Sequence, residues 1–236
     1  MSSIDYWKNE WDNVTDTSSV TNTDEVTDTS ALDNDSNKAK KCGCDYIVNV
    51  ATREIVHTEK ANTYDKFIAK DLNGNVVATS KEYKAGTISV LENISGKRNY
   101  QENGSMFVVS NNKARIEIFE FLAKNTKIEW STLRGKINRK EANHIGTNYM
   151  GTEVAILHDK FYEMLYDGTV NEYTHNHTIF TPPPRIPSGY DPDSADYKTG
   201  DHGVAIDSGN VLLRVYDPIE NIYYRFWTGG YEKEKK

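Results

Sequence analysis

The chain has few cysteines and no long apolar run, and both absences limit what it can be. Its two cysteines, Cys42 and Cys44, are separated only by Gly43, and such close cysteines rarely reach disulfide geometry, so no disulfide framework is predicted. No apolar run approaches the roughly 18–20 residues that cross a bilayer, so membrane insertion is not expected. The first residues lack the basic and apolar regions of a secretory signal peptide, so we expect export to depend on a separate carrier.

The chain also lacks an excess of positive charge. Its formal net charge is -7 at pH 7 over 236 residues. Binding to nucleic-acid phosphates depends mainly on clustered Lys and Arg, so no nucleic-acid partner is expected. Apolar residues are plentiful enough for a core, at 37% of the chain, and this predicts a globular part.

Composition divides the chain into four predicted parts. They are a disordered acidic linker rich in Ser, Thr and Asp (residues 1–45), a β-rich meander (46–105), a mixed helix and strand module (106–230) and a charged tail (231–236). Within the meander, the Asn73-Gly74 pair is a strong signal for a tight hairpin turn.

The module at 106–230 alternates between helix and strand patterns. Ser110 or Asn111 can cap a first helix that ends near Asn125. Further predicted elements are a strand at 127–133, a helix at 154–165 and strands at 170–178, 203–207, 211–217 and 222–227. This order predicts an α+β fold.

The triplet His175-Asn176-His177 lies in one of these strands and is the most informative motif. Residues i and i+2 of a strand point to the same face, so the two imidazoles can bind one ion. The loop that follows offers a third, carboxylate ligand, and its candidates are Asp191, Asp193 and Asp196. Two histidines and one aspartate leave a fourth position for water, as in catalytic zinc sites.

Hydrolysis at such a zinc also needs a carboxylate that is not a ligand, to take a proton from water and pass it to the leaving group. Four glutamates of the module compete for this role by composition, namely Glu129, Glu141, Glu153 and Glu172.

These residues resemble the JAMM motif of the JAB/MPN metalloproteases, in which HxH is followed by a spacer and SxxD and is preceded by a glutamate. Here the motif is His175 to His177, then Ser188 to Asp191, with Glu129 on the strand after the first helix. The resemblance covers about residues 107–227. Within this family, the chain most specifically resembles the JAB-like toxin domains of Rhs-type bacterial polymorphic toxins. In this chain Thr178 stands where the family usually has Pro, and the spacer is longer than usual.

The resemblance implies a cytidine deaminase-like mixed sheet flanked by helices. It also implies that His175, His177 and Asp191 bind Zn²⁺, that Glu129 is the general base and acid, and that Ser188 holds the oxyanion. Asp193 and Asp196 remain alternatives to Asp191.

The function that the resemblance implies is a zinc metallopeptidase or isopeptidase that acts in a target cell as the effector of a bacterial toxin. Its expected partners are a protein or peptide substrate and a cognate immunity protein. Two alternatives stay open: a catalytically inactive MPN-fold binding module, and a metal-dependent nuclease toxin.

Overall fold

A computed structural model describes most of the chain from Gly43 onwards. The described residues are 43–50, 55–60, 63–95, 103–137, 139–148, 161, 164–167, 169–178, 185–193 and 197–234. The predicted acidic linker lies outside them except for its last three residues, which begin the first strand. Within these residues no helix is long and apolar enough to cross a membrane.

Thirteen strands and two helices lie in the described part. In chain order they are β1 (Gly43–Asn49), β2 (Ile55–Lys60), β3 (Tyr64–Lys70), β4 (Val76–Thr79), β5 (Tyr83–Lys84), β6 (Ile88–Ser95), β7 (Asn103–Val109), α1 (Asn112–Asn125), β8 (Ser131–Ile137), β9 (Lys140–Thr147), β10 (Val170–Asn176), α2 (Gly200–Ser208), β11 (Leu212–Asp217), β12 (Ile222–Trp227) and β13 (Gly230–Lys233).

The first five strands form one sheet, in the order β2-β1-β3-β4, with β5 paired to β3. The predicted hairpin is confirmed: β3 and β4 are antiparallel, and Gly74 between them has a φ of 80°. This sheet is mixed, because β1 and β3 are parallel.

The other eight strands form a mixed sheet in the order β13-β12-β11-β10-β8-β9-β7-β6. Only β10 and β11 are parallel neighbours among these described strands. The predicted boundary at 105/106 falls inside β7, and Lys41–Lys236 form one compact unit. The predicted charged tail likewise contributes to β13, which pairs with β12.

The predicted first helix is confirmed as α1. The Asn111 side chain caps it by accepting from the Ala114 N–H at 2.9 Å, and the helix ends where the Thr126 N–H bonds to Leu122 O at 3.0 Å. The buried side of α1 packs in one core with the five-stranded sheet, and that core includes Tyr46 and Phe67. The β-rich segment before the module therefore shares its core.

The predicted strand at 203–207 is wrong, because this segment lies in α2. A short apolar run does not distinguish a strand from a helix. In α2 the buried residues Asp201, Ala205 and Ser208 recur at helical spacing, and Gly209 ends the helix with a φ of 57°. Most of the predicted helix at 154–165 lies outside the described residues, although 161 and 164–166 are helical.

Strand β10 has helices on both faces. Its residue Glu172 contacts Arg115 of α1, while its next residue, Tyr173, packs in a second core with Ala205 of α2. Neighbouring strand residues point to opposite faces, so the two helices lie on opposite sides of the eight-stranded sheet. His175 and His177 share the α2 face with Tyr173.

Candidate metal centre

The two histidines stand at the carboxyl end of β10. His175 pairs with Val215 of the parallel strand β11, and the His177 N–H continues this contact by donating to Tyr216 O at 3.2 Å. The extended backbone therefore persists through His177. It keeps both rings on one face, where their Nε2 atoms are 3.3 Å apart. This part of the sequence prediction agrees with the geometry.

The carboxylate that meets the two rings belongs to Asp201, in the first turn of α2. Its Oδ1 lies 3.1 Å from His175 Nε2, and its Oδ2 lies 3.5 Å from His177 Nε2. The three side chains are mostly buried, with 7–12% of each exposed. They are the group of three potential metal ligands found within the described residues.

The carboxylate beside the two histidines is thus Asp201, whereas the sequence pattern predicts Asp191 as the third ligand. Asp191 is exposed, and its Oδ1 accepts from the Asp193 N–H at 2.9 Å in a turn. Neither Asp191 nor Asp193 belongs to the group, and Asp196 lies outside the described residues. Asp201 lies thirteen residues after Ser188, well beyond the SxxD spacing.

Ser188 contacts Asp201 despite their separation in the sequence, and the contacts involve both the side chain and the backbone N–H of Asp201. The Ser188 N–H and Oγ–H both donate to Asp201 Oδ2, at 2.7 and 3.0 Å. The Asp201 N–H donates back to Ser188 Oγ at 3.1 Å. A hydroxyl has one proton to donate, so in this arrangement the Ser188 proton is used on Asp201. Its predicted role as oxyanion donor remains a prediction.

Two glycines allow the Ser188 loop to cross the start of α2 so closely. Gly189 and Gly200 have φ values of 80° and 54°, a region that favours glycine. A Cβ on Gly200 would come within 2.4 Å of Ser188 Oγ, and one on Gly189 within 2.1 Å of Thr199 O. The position of Asp201 therefore depends on glycine at both points of this crossing.

Contacts of aromatic side chains also join the Ser188 loop to α2. The Tyr190 ring stacks on the His202 ring with centroids 4.4 Å apart, and the Tyr190 hydroxyl donates to Trp227 O at 2.7 Å. The His202 ring nitrogens lie 3.0 Å from Gly189 O and 3.1 Å from Thr228 O. The loop, α2 and the end of β12 are thereby tied together beside Asp201.

The spacing of the three side chains fits a zinc ion. Two ligand atoms about 2.0–2.1 Å from a tetrahedral zinc lie about 3.3 Å from each other. The 3.3 Å between the two Nε2 atoms matches this value, and the Asp201 carboxylate lies beside both rings, with one oxygen 3.1 Å from His175 Nε2 and the other 3.5 Å from His177 Nε2. The ring atoms that converge are both Nε2, while the buried Nδ1 atoms have no hydrogen-bond partner among the described residues.

The charge of the carboxylate also suits a cation. Burial alone would raise the pKa of the Asp201 carboxyl, but the charges and hydrogen bonds of His175 and His177 outweigh this effect and hold the pKa well below its usual value. Asp201 therefore provides an anionic ligand next to two imidazoles, a donor set that is typical of catalytic zinc sites.

Glu129 lies two residues before β8, not on a strand as predicted, and it is buried, with 5% exposed. Strand β8 pairs with β10 so that Ser131 stands opposite His175. The Asn176 N–H continues this ladder by bonding to Trp130 O at 3.1 Å. The next pair in this register is Glu129 and His177, and directly opposite residues share a face. The register thus puts Glu129 at the histidine end of the sheet.

Asp201 is the member of the group that sequence reasoning missed. One signal for it exists, because an acidic residue directly after Gly200 and four before Ala205 is typical of the first turn of an amphipathic helix. The short apolar run that follows favoured a strand instead and hid this signal.

Residues 107–202 match the family model described as JAB-like toxin 1. This range includes Glu129, both histidines, Ser188 and Asp201. The comparison with curated proteins finds no match, and no solved structure matches either.

Proposed function

We propose that this chain, whose residues 107–202 match the JAB-like toxin 1 family model, is a zinc-dependent peptidase or isopeptidase that acts as the effector part of a bacterial toxin. The observation that carries the proposal is the convergence of His175 Nε2, His177 Nε2 and the Asp201 carboxylate, whose two oxygens lie 3.1 and 3.5 Å from the rings, as a group able to hold a metal ion. We extend the proposal to the cytidine deaminase-like arrangement of the sheet and its flanking helices.

The proposal assigns a role to each of these protein side chains. His175, His177 and Asp201 would hold the ion, and Ser188 orients Asp201 through its N–H and hydroxyl. Glu129 accepts a proton from water at the histidine end of the sheet and returns it to the leaving amine of the cleaved amide. A bound zinc supplies Lewis acidity and lowers the pKa of water in its coordination sphere to about 7.

The proposed substrate is a protein or peptide, and a cognate immunity protein is the proposed second partner. The family description supports a toxin. Delivery by an Rhs-type carrier into a target cell is part of this proposal. The net charge of -7 favours a peptide over a nucleic acid as the substrate.

The first experiment measures zinc by elemental analysis in the wild-type chain and in the folded His175→Ala/His177→Ala double variant. We expect about one zinc per chain in the wild type and none in the variant. If neither holds zinc after the metal is supplied, the proposal of a zinc enzyme is wrong and the binding-module alternative gains support.

The second experiment tests Glu129 with quenched-fluorescence peptides that carry either a Lys ε-isopeptide bond or an ordinary peptide bond. Glu129→Gln should keep its zinc and lower kcat by about 10²–10⁴-fold, the usual contribution of a general acid or base. Glu220→Gln, at an exposed position in the turn before β12, is the matched control and should leave kcat unchanged. Wild-type rates in zinc-loaded Glu129→Gln would remove Glu129 from the mechanism.

A further inference from the structure

Asn176, between the two histidines, points to the opposite face of β10 and is fully buried. Its side chain forms two hydrogen bonds with the segment that precedes β8. Asn176 Oδ1 accepts from the Trp130 N–H at 2.7 Å, and Nδ2 donates to Ile128 O at 3.3 Å. The Asn176 N–H also bonds to Trp130 O at 3.1 Å. The partners of Asn176 are therefore the residues directly before and directly after Glu129.

Only a side chain with one donor and one acceptor at this length meets both partners. The Trp130 N–H requires an acceptor and the Ile128 carbonyl requires a donor, so the two partners also fix the orientation of the amide. An aspartate would place a carboxylate oxygen against the Ile128 carbonyl, and alanine would leave both backbone groups without their bonds.

The other side of the segment is held as well. The Thr147 hydroxyl of β9 donates to Glu129 O at 2.7 Å. The Trp130 indole N–H donates to Thr126 Oγ1, also at 2.7 Å. Among these anchors, Asn176 is the one that belongs to the strand of the histidines. It therefore sets the position of the Glu129 backbone relative to His175 and His177.

We propose that Asn176 is the positioning residue that fixes Glu129 relative to the two histidine ligands. This inference rests on the proposed function for the role of Glu129, and its structural part, the anchoring of residues 128–130, stands without it. The middle residue of the HNH triplet thus has a function of its own in this chain.

The structural part is tested by amide hydrogen exchange at Trp130, followed by NMR in the zinc-loaded protein. Asn176→Ala should speed exchange at this amide by about tenfold or more, because it loses its acceptor, while zinc content stays at about one per chain. Asn143→Ala removes another buried asparagine, on β9, and is the matched control that should leave Trp130 exchange unchanged. Unchanged exchange in Asn176→Ala overturns the inference.

The catalytic part is tested by a double-mutant cycle with Glu129→Gln on the isopeptide substrate. Asn176→Ala should lower kcat by about 10–100-fold with little change in KM, since small misplacements of a catalytic group cost this much. In the Glu129→Gln background the same change should have no further effect. Equal losses in both backgrounds would show that Asn176 does not act through Glu129.

Two further outcomes distinguish a failure of the proposed function from a failure of the inference about Asn176. If the wild type cleaves neither peptide, the proposed function fails, while faster exchange at Trp130 still supports the anchoring by Asn176. If Asn176→Ala does not fold, Asn176→Leu replaces it, because it has a similar size and loses both the acceptor for the Trp130 N–H and the donor to Ile128 O. It should shift exchange and kcat in the same direction, and wild-type values in both would overturn the inference.

Discussion

Strand β10 carries two clusters of buried polar groups on its opposite faces, and they differ in whether their charges are balanced by protein groups alone. On the α1 face, Glu172 meets two arginines. On the α2 face, His175 and His177 meet Asp201. The clusters begin only three residues apart in the sequence, so the strand itself does not account for the difference.

The α1-face cluster is complete without a ligand. The Arg115 side chain is fully buried, and its guanidinium donates to Glu172 Oε1 at 2.7 Å and to Thr132 Oγ1 at 2.9 Å. Arg214 donates to the same Glu172 oxygen at 3.1 Å and to Glu234 at 2.9 Å. Each buried charge has an opposite charge in contact, which is the pattern of a structural ion-pair network.

The α2-face cluster instead directs three possible ligand atoms at one point. Both imidazoles present Nε2 to a single carboxylate, and the two Nε2 atoms face each other at 3.3 Å. Two ring nitrogens so close together can share one proton or bind a common cation, and the proposed zinc is such a cation. Burial and charge are therefore common to the two clusters, and the convergence of possible ligand atoms on the α2 face is what separates them.

The largest expected effect comes from removing the third ligand atom. Asp201→Asn keeps the shape of the side chain and an oxygen for the Ser188 N–H, but loses the charge. Zinc affinity, measured by competition with a chromogenic chelator, should fall by more than about 100-fold, since changing even a group that only orients a ligand costs 10–100-fold. Asp191→Asn is the matched control from the sequence prediction and should bind zinc as the wild type does. The reverse result would restore Asp191 as the ligand.

The second expected effect is on stability and should leave the metal centre intact. Arg115→Met removes a buried charge and leaves Glu172 with one arginine, which should lower the free energy of unfolding in urea by about 3–5 kcal/mol. Zinc content of the folded variant should stay at about one per chain. Arg225→Met, at an exposed position on β12, is the control and should change stability by less than about 0.5 kcal/mol. Loss of zinc from folded Arg115→Met would mean that the two faces are coupled.

The histidine strand and α1 could be predicted because their signals are local. The strand pattern at 170–178 and the i, i+2 spacing of the histidines determine which face they share, whatever lies around them. The cap at Asn111 and the apolar spacing of α1 are equally local. These elements occur where the sequence pattern put them.

Asp201 and Asn176 could not be assigned from the same patterns, because their roles depend on contacts between distant segments. Asp201 lies beside the histidines because the Ser188 loop crosses the start of α2. Ser188 and Asp201, which meet at this crossing, are thirteen residues apart in the sequence. Asn176 contacts residues 46 and 48 positions away. A motif based on fixed spacing selects Asp191, because the contact between Asp201 and the histidines depends on the fold and not on local spacing.

The smallest expected effect tests that crossing. Gly200→Ala adds a Cβ at a φ of 54° and within 2.4 Å of Ser188 Oγ, so Ser188 must move away from Asp201. Zinc affinity should fall by about 10–100-fold, the range for groups that orient a ligand. Gly203→Ala, in the same helix, is the matched control: the closest atom to its new Cβ is Lys198 O at 3.4 Å. It should keep zinc affinity and stabilise α2 by up to about 1 kcal/mol, because alanine favours helix over glycine. Equal zinc affinity in both variants would show that Asp201 is positioned without the Ser188 contact. The cluster on the α2 face would then not depend on the close approach of the Ser188 loop to α2.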